Sequence, residues 1–258
     1  MGKLDNKVAI ITGSDSGIGR AIAEALGEEG ATVIITYRSD HESAKDTSKY
    51  LDSKNVKHTV HALDVSKEES VNDVFEKVVQ EYGQIDILVN NAGVNGSNIN
   101  VVDMENDVFD TCIKTNLYGP FYCTRKYLRL RAPSQKGGKI INVSSIHEDV
   151  VTAGNSDYNA SKGGLKNFSR SLALELAEQQ IQVNNIAPGM ILTKMNQESM
   201  DDEKVKEEKE QHIPMKRAGE TKDIKAAAVF LASADSDYVT GATLTIDGGL
   251  SINLGQGA

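Results

Sequence analysis

The sequence predicts an α/β fold: a single domain on a doubly wound parallel sheet of about seven strands, with helices on both faces. Three observations carry that prediction. Short β-branched apolar runs alternate with segments whose apolar residues recur at helical spacing, from Lys7 through to Ile246. The runs are apolar on both faces, which demands a sheet covered on both sides. The first run empties into Gly13-Ser14-Asp15-Ser16-Gly17-Ile18-Gly19, after which Ile18, Ala21, Ile22, Ala25 and Leu26 mark a helix. No internal repeat, low-complexity segment or linker divides the 258 residues, so residues 1–258 read as one domain.

Taken in order, the first strand runs from Lys7 to Thr12. A strand, a glycine turn and a helix let main-chain N–H groups and the helix N-terminus approach a pyrophosphate, with glycines where a side chain would block it. The spacing Gly-x-x-x-Gly-x-Gly alone fits an ordinary strand-to-helix turn equally well. A second strand, Ala31 to Tyr37, ends in Tyr37-Arg38-Ser39, and a helix carrying Ala44, Thr47 and Leu51 follows. The third strand, Val56 to Ala62, closes in Leu63-Asp64-Val65-Ser66. Ser66 and Glu69 have capping-box spacing for a helix to about Tyr82, striped by Val71, Val74, Phe75 and Val78. Ile85 to Val89 is the fourth strand and delivers Asn90-Asn91-Ala92-Gly93.

Glu105 to Leu130 reads as one long helical stretch with Pro120 four residues after Asn116. Proline has no N–H, so the Asn116 carbonyl loses its helical partner and is free for a water. A fifth strand, Lys139 to Val143, brings Ser144 and Ser145 to the carboxyl edge, where ligands bind in open α/β sheets. The next helix runs to about Glu178, and a sixth strand, Ile181 to Ile186, ends at Ala187-Pro188-Gly189. Residues 190–217 are rich in Glu and Lys and read either as a solvated helix pair or as a substrate lid. Thr221 to Ala232 is a helix and Ala242 to Ile246 the last strand.

The chemistry centres on Tyr158-Asn159-Ala160-Ser161-Lys162. On a helix, the spacing of four puts the phenol and the ammonium on one face. A phenol with a pKa of about 10 is a poor base at neutral pH, and a fixed cation nearby favours the phenolate. Alone, the pair reads equally as a surface contact.

Composition narrows the class. A formal charge of -9 argues against general nucleic-acid affinity, and no apolar run approaches a membrane span. Cys112 and Cys123, on one predicted helix, stand about 16 Å apart, too far for a disulfide. With no apolar signal region after Met1, and with Asn6 where myristoylation wants Ser or Thr, the expected compartment is the cytoplasm. The five histidines are scattered and indicate no metal site.

Read together, these signposts resemble the short-chain dehydrogenase/reductase family over nearly the whole chain, with its Rossmann-type fold. They stand as Thr12-Gly13-x-x-x-Gly17-x-Gly19, Asp64, Asn90-Asn91-Ala92-Gly93, Asn116, Ser145, Tyr158-x-x-x-Lys162 and Pro188-Gly189. The resemblance implies a catalytic tetrad. Tyr158 would exchange the proton with the alcohol oxygen, Ser145 would hold that oxygen, and Lys162 would lower the phenol's pKa and bind the nicotinamide ribose. The Asn116 carbonyl would hold a water leading to Lys162. The coenzyme would lie on Gly13, Ser16, Gly17, Ile18 and Gly19, with Asp64 and Val65 at the adenine and Asn90, Ala92 and Gly93 on the adenosine side. Pro188 and Gly189 would also contact the coenzyme, and Thr193 would contact its carboxamide. For Asp64, Asn90 and Thr193 the ordinary role of a turn or cap residue stays open.

The implied activity is NAD(P)-dependent hydride transfer to or from a secondary alcohol or carbonyl. The alternative on the same fold is a cofactor-binding sensor without turnover, for which a base paired with a lysine has no use. Ser144-Ser145-Ile146-His147-Glu148 looks most like the glucose 1-dehydrogenase branch, so Ser145, His147 and Tyr158 are the expected substrate contacts, with Glu148 as a further candidate. Against that branch, Val150 to Asn155 lacks the expected proline and tryptophan. The rival is a 3-oxoacyl-carrier-protein reductase, for whose acidic partner Arg125, Lys126, Arg129 and Arg131 offer a basic patch. Homotetramers with two-fold interfaces are the family expectation.

The coenzyme reading balances two residues. An NAD-preferring enzyme ends its second strand with an acid that accepts the ribose hydroxyls. Here that place holds the uncharged Tyr37, and Arg38 follows with a guanidinium suited to a 2′-phosphate. Asp15 in the glycine turn opposes it. The expectation is NADP or NAD, with a modest preference for NADP.

Overall fold

A computed structural model describes residues 2–132, 135–193 and 201–253. Seven parallel strands form one sheet in the order β3-β2-β1-β4-β5-β6-β7: β1 Val8–Ile11, β2 Thr32–Tyr37, β3 His58–Ala62, β4 Ile87–Asn90, β5 Gly138–Val143, β6 Ile181–Pro188 and β7 Thr243–Ile246. The strand order reverses between β1 and β4, which opens the crevice where such sheets bind ligands. The helices are α1 Gly17–Glu28, α2 His41–Ser53, α3 Glu68–Tyr82, α4 Asn106–Ile113, α5 Gly119–Arg129, α6 Ser156–Leu176, α7 Glu203–Gln211 and α8 Lys222–Ala232.

The period of two along the strands divides the core into two layers. Ala9, Ile11, Val33, Ile35, Ile87 and Val89 pack against Ile22 and Leu26 of α1 and Ile224, Ala228 and Leu231 of α8. Val8, Ile10, Ile34 and Leu88 point the other way, onto Val71, Val74, Phe75 and Val78 of α3 and Leu172 and Leu176 of α6. Burying each such isoleucine contributes roughly 1.5–3 kcal/mol, so the sheet holds the carboxyl ends of its strands in fixed register.

Three local features depart from the sequence reading. The stretch expected as one long helix is broken by a π-helical turn at Lys114–Tyr118, in which Gly119 N–H donates to the Lys114 carbonyl. Pro120, unable to donate, sits at the start of α5 and forces that wider turn. The Ser66 and Glu69 capping box does not form. Instead Ser66 donates to Asp64 Oδ1 through its main-chain N–H at 3.1 Å and its hydroxyl at 2.7 Å, and Lys67 takes the N-cap position. The segment after β6 is pinned at its neck: Leu192 N–H donates to the Gly219 carbonyl and Gly219 N–H to the Met190 carbonyl, both at 2.9 Å. A Cβ on Gly219 would stand 2.4 Å from Ile191 Cδ1, so any side chain there requires the isoleucine to shift. Of the expected lid at 190–217, positions 194–200 lie outside the described residues. Among the described residues no helix is long and apolar enough to cross a membrane.

Candidate active site

The ends of β1 and β4 are tied together by two side chains. Thr12 Oγ1 accepts from the N–H groups of Asn91 and Ala92 at 2.9 and 3.0 Å, while Asn91 Nδ2 donates back to the carbonyls of Thr12 and Gly13 at 2.9 and 2.8 Å. Gly13 and Gly17 hold φ of +61° and +56°, where a Cβ is strained. A Cβ on Gly19 would lie 2.2 Å from the Gly13 carbonyl oxygen. The turn delivers the chain into α1, whose Ser16 N-cap makes no capping hydrogen bond to the helix, its hydroxyl donating to Asp15 Oδ2 at 3.2 Å instead, and whose first turn carries no acid. An uncapped, acid-free helix start with glycines before it fits a pyrophosphate. Thr193 reaches the same place, its Cγ2 3.4 Å from where a Gly17 Cβ would lie.

Several expected coenzyme residues turn their side chains elsewhere. Asn90 Nδ2 donates to Asn142 Oδ1 at 2.8 Å and to Thr124 Oγ1 at 3.3 Å, so only its main chain is left to face a ligand. Ile18 packs on the first core layer, and a Cβ on Gly119 would meet Val65 Cγ2 at 2.9 Å. Asp64 is a turn residue in the first instance. Burial works to raise its carboxyl, but the hydrogen bonds from Ser66 and the charges of Lys67 and Arg38 outweigh it and hold the group below its ordinary value. Arg38 is exposed and makes no ion pair within 4 Å among the described residues.

Across the crevice, α6 carries Tyr158 and Lys162 on one face. Lys162 is buried, donates from Nζ to the Val143 carbonyl at 2.9 Å, and lies 5.5 Å from the Tyr158 ring centroid. Burial pulls its ammonium down to about 8. The phenol behaves opposite to expectation. Burial pushes Tyr158 above its ordinary value, and the hydrogen bond with Ser145 offsets this only in part. With the cation directed at Val143, desolvation of the hydroxyl sets the direction of the shift.

Ser145 is the serine that meets Tyr158, and its Oγ also accepts from His147 N–H at 3.2 Å. The His147 ring packs edge-on to Tyr158, centroids 5.7 Å apart, with Nδ1 donating to the Val150 carbonyl at 2.8 Å. Glu148, a candidate for substrate, faces away: its Oε1 accepts from Thr243 Oγ1 at 2.9 Å and lies 3.4 Å from Lys166 Nζ.

The Asn116 side chain does more than its carbonyl was expected to do. Its Oδ1 accepts from Val94 N–H at 2.8 Å, and its Nδ2 donates to the Val94 carbonyl at 3.0 Å and to Ser161 Oγ at 3.2 Å. Ser161 in turn donates to the Tyr158 carbonyl at 2.8 Å. Asn116 thus braces the loop after Gly93 against the helix that carries Tyr158. Thr12, Asn91 and Ser161 were legible as motif letters, but their bracing roles required the contacts.

Residues 13–251 match a family model described as enoyl-(acyl carrier protein) reductase. Glucose 1-dehydrogenase 2 of Bacillus subtilis (strain 168) is 36% identical over 249 residues, covering 96% of each chain. General stress protein 39 of the same organism is 40% identical over 247 residues, 96% of this chain and 85% of that one. The crystal structure of a gluconate 5-dehydrogenase from Burkholderia cenocepacia J2315, in complex with NADP and tartrate, superposes with a TM-score of 0.89 at 32% identity, covering 96% of both chains. Likeness of this extent, in sequence as well as in backbone, reaches beyond a shared architecture: the chain belongs to the short-chain dehydrogenase/reductase family and is an oxidoreductase that uses a nicotinamide cofactor.

Proposed function

We propose that this enzyme interconverts a secondary alcohol and its carbonyl on a sugar or polyol, through Tyr158, Ser145, Lys162 and Asn116. The observation that carries the reading is the meeting of Ser145 with the Tyr158 hydroxyl at the carboxyl edge of β5, above a buried Lys162. The nicotinamide ring supplies the partner for hydride. Tyr158 passes the proton between its hydroxyl and the substrate oxygen, and Ser145 orients that oxygen through its hydroxyl. Lys162 supplies the cation that favours the phenolate once the proton is to leave. Asn116 fixes the approach of loop and helix, and its main chain faces the wider π-helical turn.

A sugar or polyol is favoured by His147, which shares the Ser145 and Tyr158 corner and presents polar edges to a hydroxylated substrate. The names of the glucose and gluconate dehydrogenases among the relatives agree with this. An acyl-carrier substrate is disfavoured. Arg125 is paired with Glu68 at 2.7 Å and Lys126 with Glu76, which offsets two of the four charges of the basic patch, and Arg131 is held by Tyr127 and the Gly137 carbonyl. For the coenzyme, exposed Arg38 beside the end of β2 supports NADP, with NAD accepted as well.

We also propose a homotetramer. Tyr118, Phe121, Tyr122 and Phe168 form a contiguous aromatic surface on α5 and α6, with Arg125 4.4 Å over the Phe121 ring. The decisive experiment for the activity is NADP and NAD reduction across glucose, gluconate and a panel of polyols, with acetoacetyl thioester reduction as the competing assay. Activity confined to the thioester overturns the sugar reading.

A further inference from the structure

Two neighbouring peptide groups of the glycine turn are held from outside the turn. Gly13 N–H donates to Thr36 Oγ1 at 3.1 Å and Ser14 N–H to the Thr36 carbonyl at 2.8 Å, so the first two donors of the turn are taken up by β2. The next two are not. Among the described residues no acceptor meets the N–H of Asp15 or of Ser16, and both residues are only partly buried. The carbonyls of the same stretch face the other way. Thr47 of α2, fully buried, directs its hydroxyl at the carbonyls of Ser14 and Asp15, at 3.2 and 3.1 Å.

A hydroxyl has one proton to give. The third acceptor in reach, the Ser43 carbonyl within α2 itself, is the farthest at 3.4 Å, so the proton is divided chiefly between the two turn carbonyls. No peptide bond here is cis, and in a trans peptide group the C=O and the N–H point in opposite directions. The Ser14 carbonyl shares its peptide group with Asp15 N–H, and the Asp15 carbonyl shares its own with Ser16 N–H. Drawing both oxygens toward α2 turns both N–H groups away from it, at the point where the chain enters α1. Successive unmet main-chain donors of this kind suit an anion, and phosphate oxygens in particular.

We propose that Thr47 is a positioning residue for the coenzyme: its hydroxyl sets two peptide groups of the turn so that Asp15 N–H and Ser16 N–H donate to the coenzyme's phosphates. The inference rests on the reading of the glycine turn as the pyrophosphate site. Thr47 is too deeply buried to meet the ligand itself. The pyrophosphate is common to NAD and NADP, so the effect of Thr47 is separate from the preference proposed for Arg38.

Thr47→Val keeps the shape and removes the proton. The dissociation constants of NADP, NAD and ADP-ribose, measured by titration calorimetry, should each rise roughly three- to tenfold, the effect of one hydrogen bond. Adenosine, which carries no phosphate, should bind as it does to the parent, and Thr47→Ser, which keeps the hydroxyl, should restore the three affinities. A purely structural role would lower the melting temperature without this contrast between ADP-ribose and adenosine. A second measurement needs no variant. When ADP-ribose is added to the parent, the amide proton resonances of Asp15 and Ser16 should both move downfield. Unchanged ADP-ribose affinity in folded Thr47→Val, an equal loss for adenosine, or unmoved Asp15 and Ser16 amides while those of Gly17 to Gly19 shift, overturns the proposal. If no amide from Gly13 to Gly19 responds, the underlying pyrophosphate reading fails instead.

Discussion

Lys162 Nζ donates to the Val143 carbonyl at 2.9 Å while standing 5.5 Å from the Tyr158 ring centroid. The cation faces the phenol across a gap without neutralising it, and burial keeps the hydroxyl protonated. Such a phenol acts as a proton carrier only while its hydroxyl is present. Tyr158→Phe keeps the ring against His147 and should lower kcat by roughly 10²–10⁴-fold. Coenzyme binding, followed by fluorescence of the reduced form, should stay close to that of the parent. Near-parental turnover would remove Tyr158 from the chemistry.

The depressed ammonium of Lys162 links stability to pH. Its value falls from an ordinary 10.5 to about 8 on folding, so between those limits the unfolded chain binds the extra proton. Stability from this group therefore rises with pH across that window and is penalised in full below it. Lys162→Met removes the titration. Compared with the parent by chemical denaturation, the variant should be relatively most favoured near pH 7 and lose on the order of 3 kcal/mol of that advantage by pH 10.5. A pH-independent difference would contradict the burial of this charge.

Gly19 has no room for a methyl group. Its Cβ would lie 2.2 Å from the Gly13 carbonyl oxygen and 2.4 Å from Asn91 Nδ2, both parts of the lock between β1 and β4. Gly19→Ala should cost at least about 1–3 kcal/mol in thermal or denaturant unfolding and weaken the binding of either coenzyme. Unchanged affinity would mean that the turn does not hold the pyrophosphate.

On the proposed preference for NADP, Arg38 is the residue expected to carry it. A charge-assisted contact to the 2′-phosphate is worth about 1.5–3 kcal/mol, so Arg38→Ala should raise the Kd of NADP roughly ten- to hundredfold and that of NAD far less. Equal losses for both, measured by titration calorimetry, would show that Arg38 does not read the phosphate. A parent enzyme that uses only NAD would mean that Asp15 dominates.

The aromatic surface of α5 and α6 is expected to lie between copies of the chain. Sedimentation velocity at micromolar concentration should show a tetramer, and Phe168→Glu should shift it to smaller species. A monomeric parent would contradict the assembly.

The sheet was legible because its inner strands obey one local rule, apolar on both faces and bounded by turn residues, while the edge strands β3 and β7 mix polar with apolar residues and are only half-buried. All seven strands lie within two residues of the boundaries read from the sequence. The placement of Tyr158 and Lys162 on one helical face and of Ser145 just past the end of β5 was legible because it follows from spacing alone. What was not legible depends on competition between partners. Ser66 chose Asp64 over the first turn of α3, Glu148 turned from the site to Thr243, and the Tyr158 phenol answered to burial before it answered to Lys162. Pro120 signalled a freed carbonyl at Asn116 but not the π-helical turn that accommodates it, because a missing donor can equally kink, break or widen a helix.

The neck at Ile191 and Gly219 carries an implication for how this enzyme can change. The described part of the segment leaves and rejoins the frame side by side at those two residues and touches it again where Met215 N–H donates to the Gly248 carbonyl at 3.2 Å. Closing a longer segment over the same two points adds only a logarithmic entropy cost, about 0.6 kcal/mol per doubling. A change in the length of this segment is therefore expected to leave the register of the strands beneath it intact.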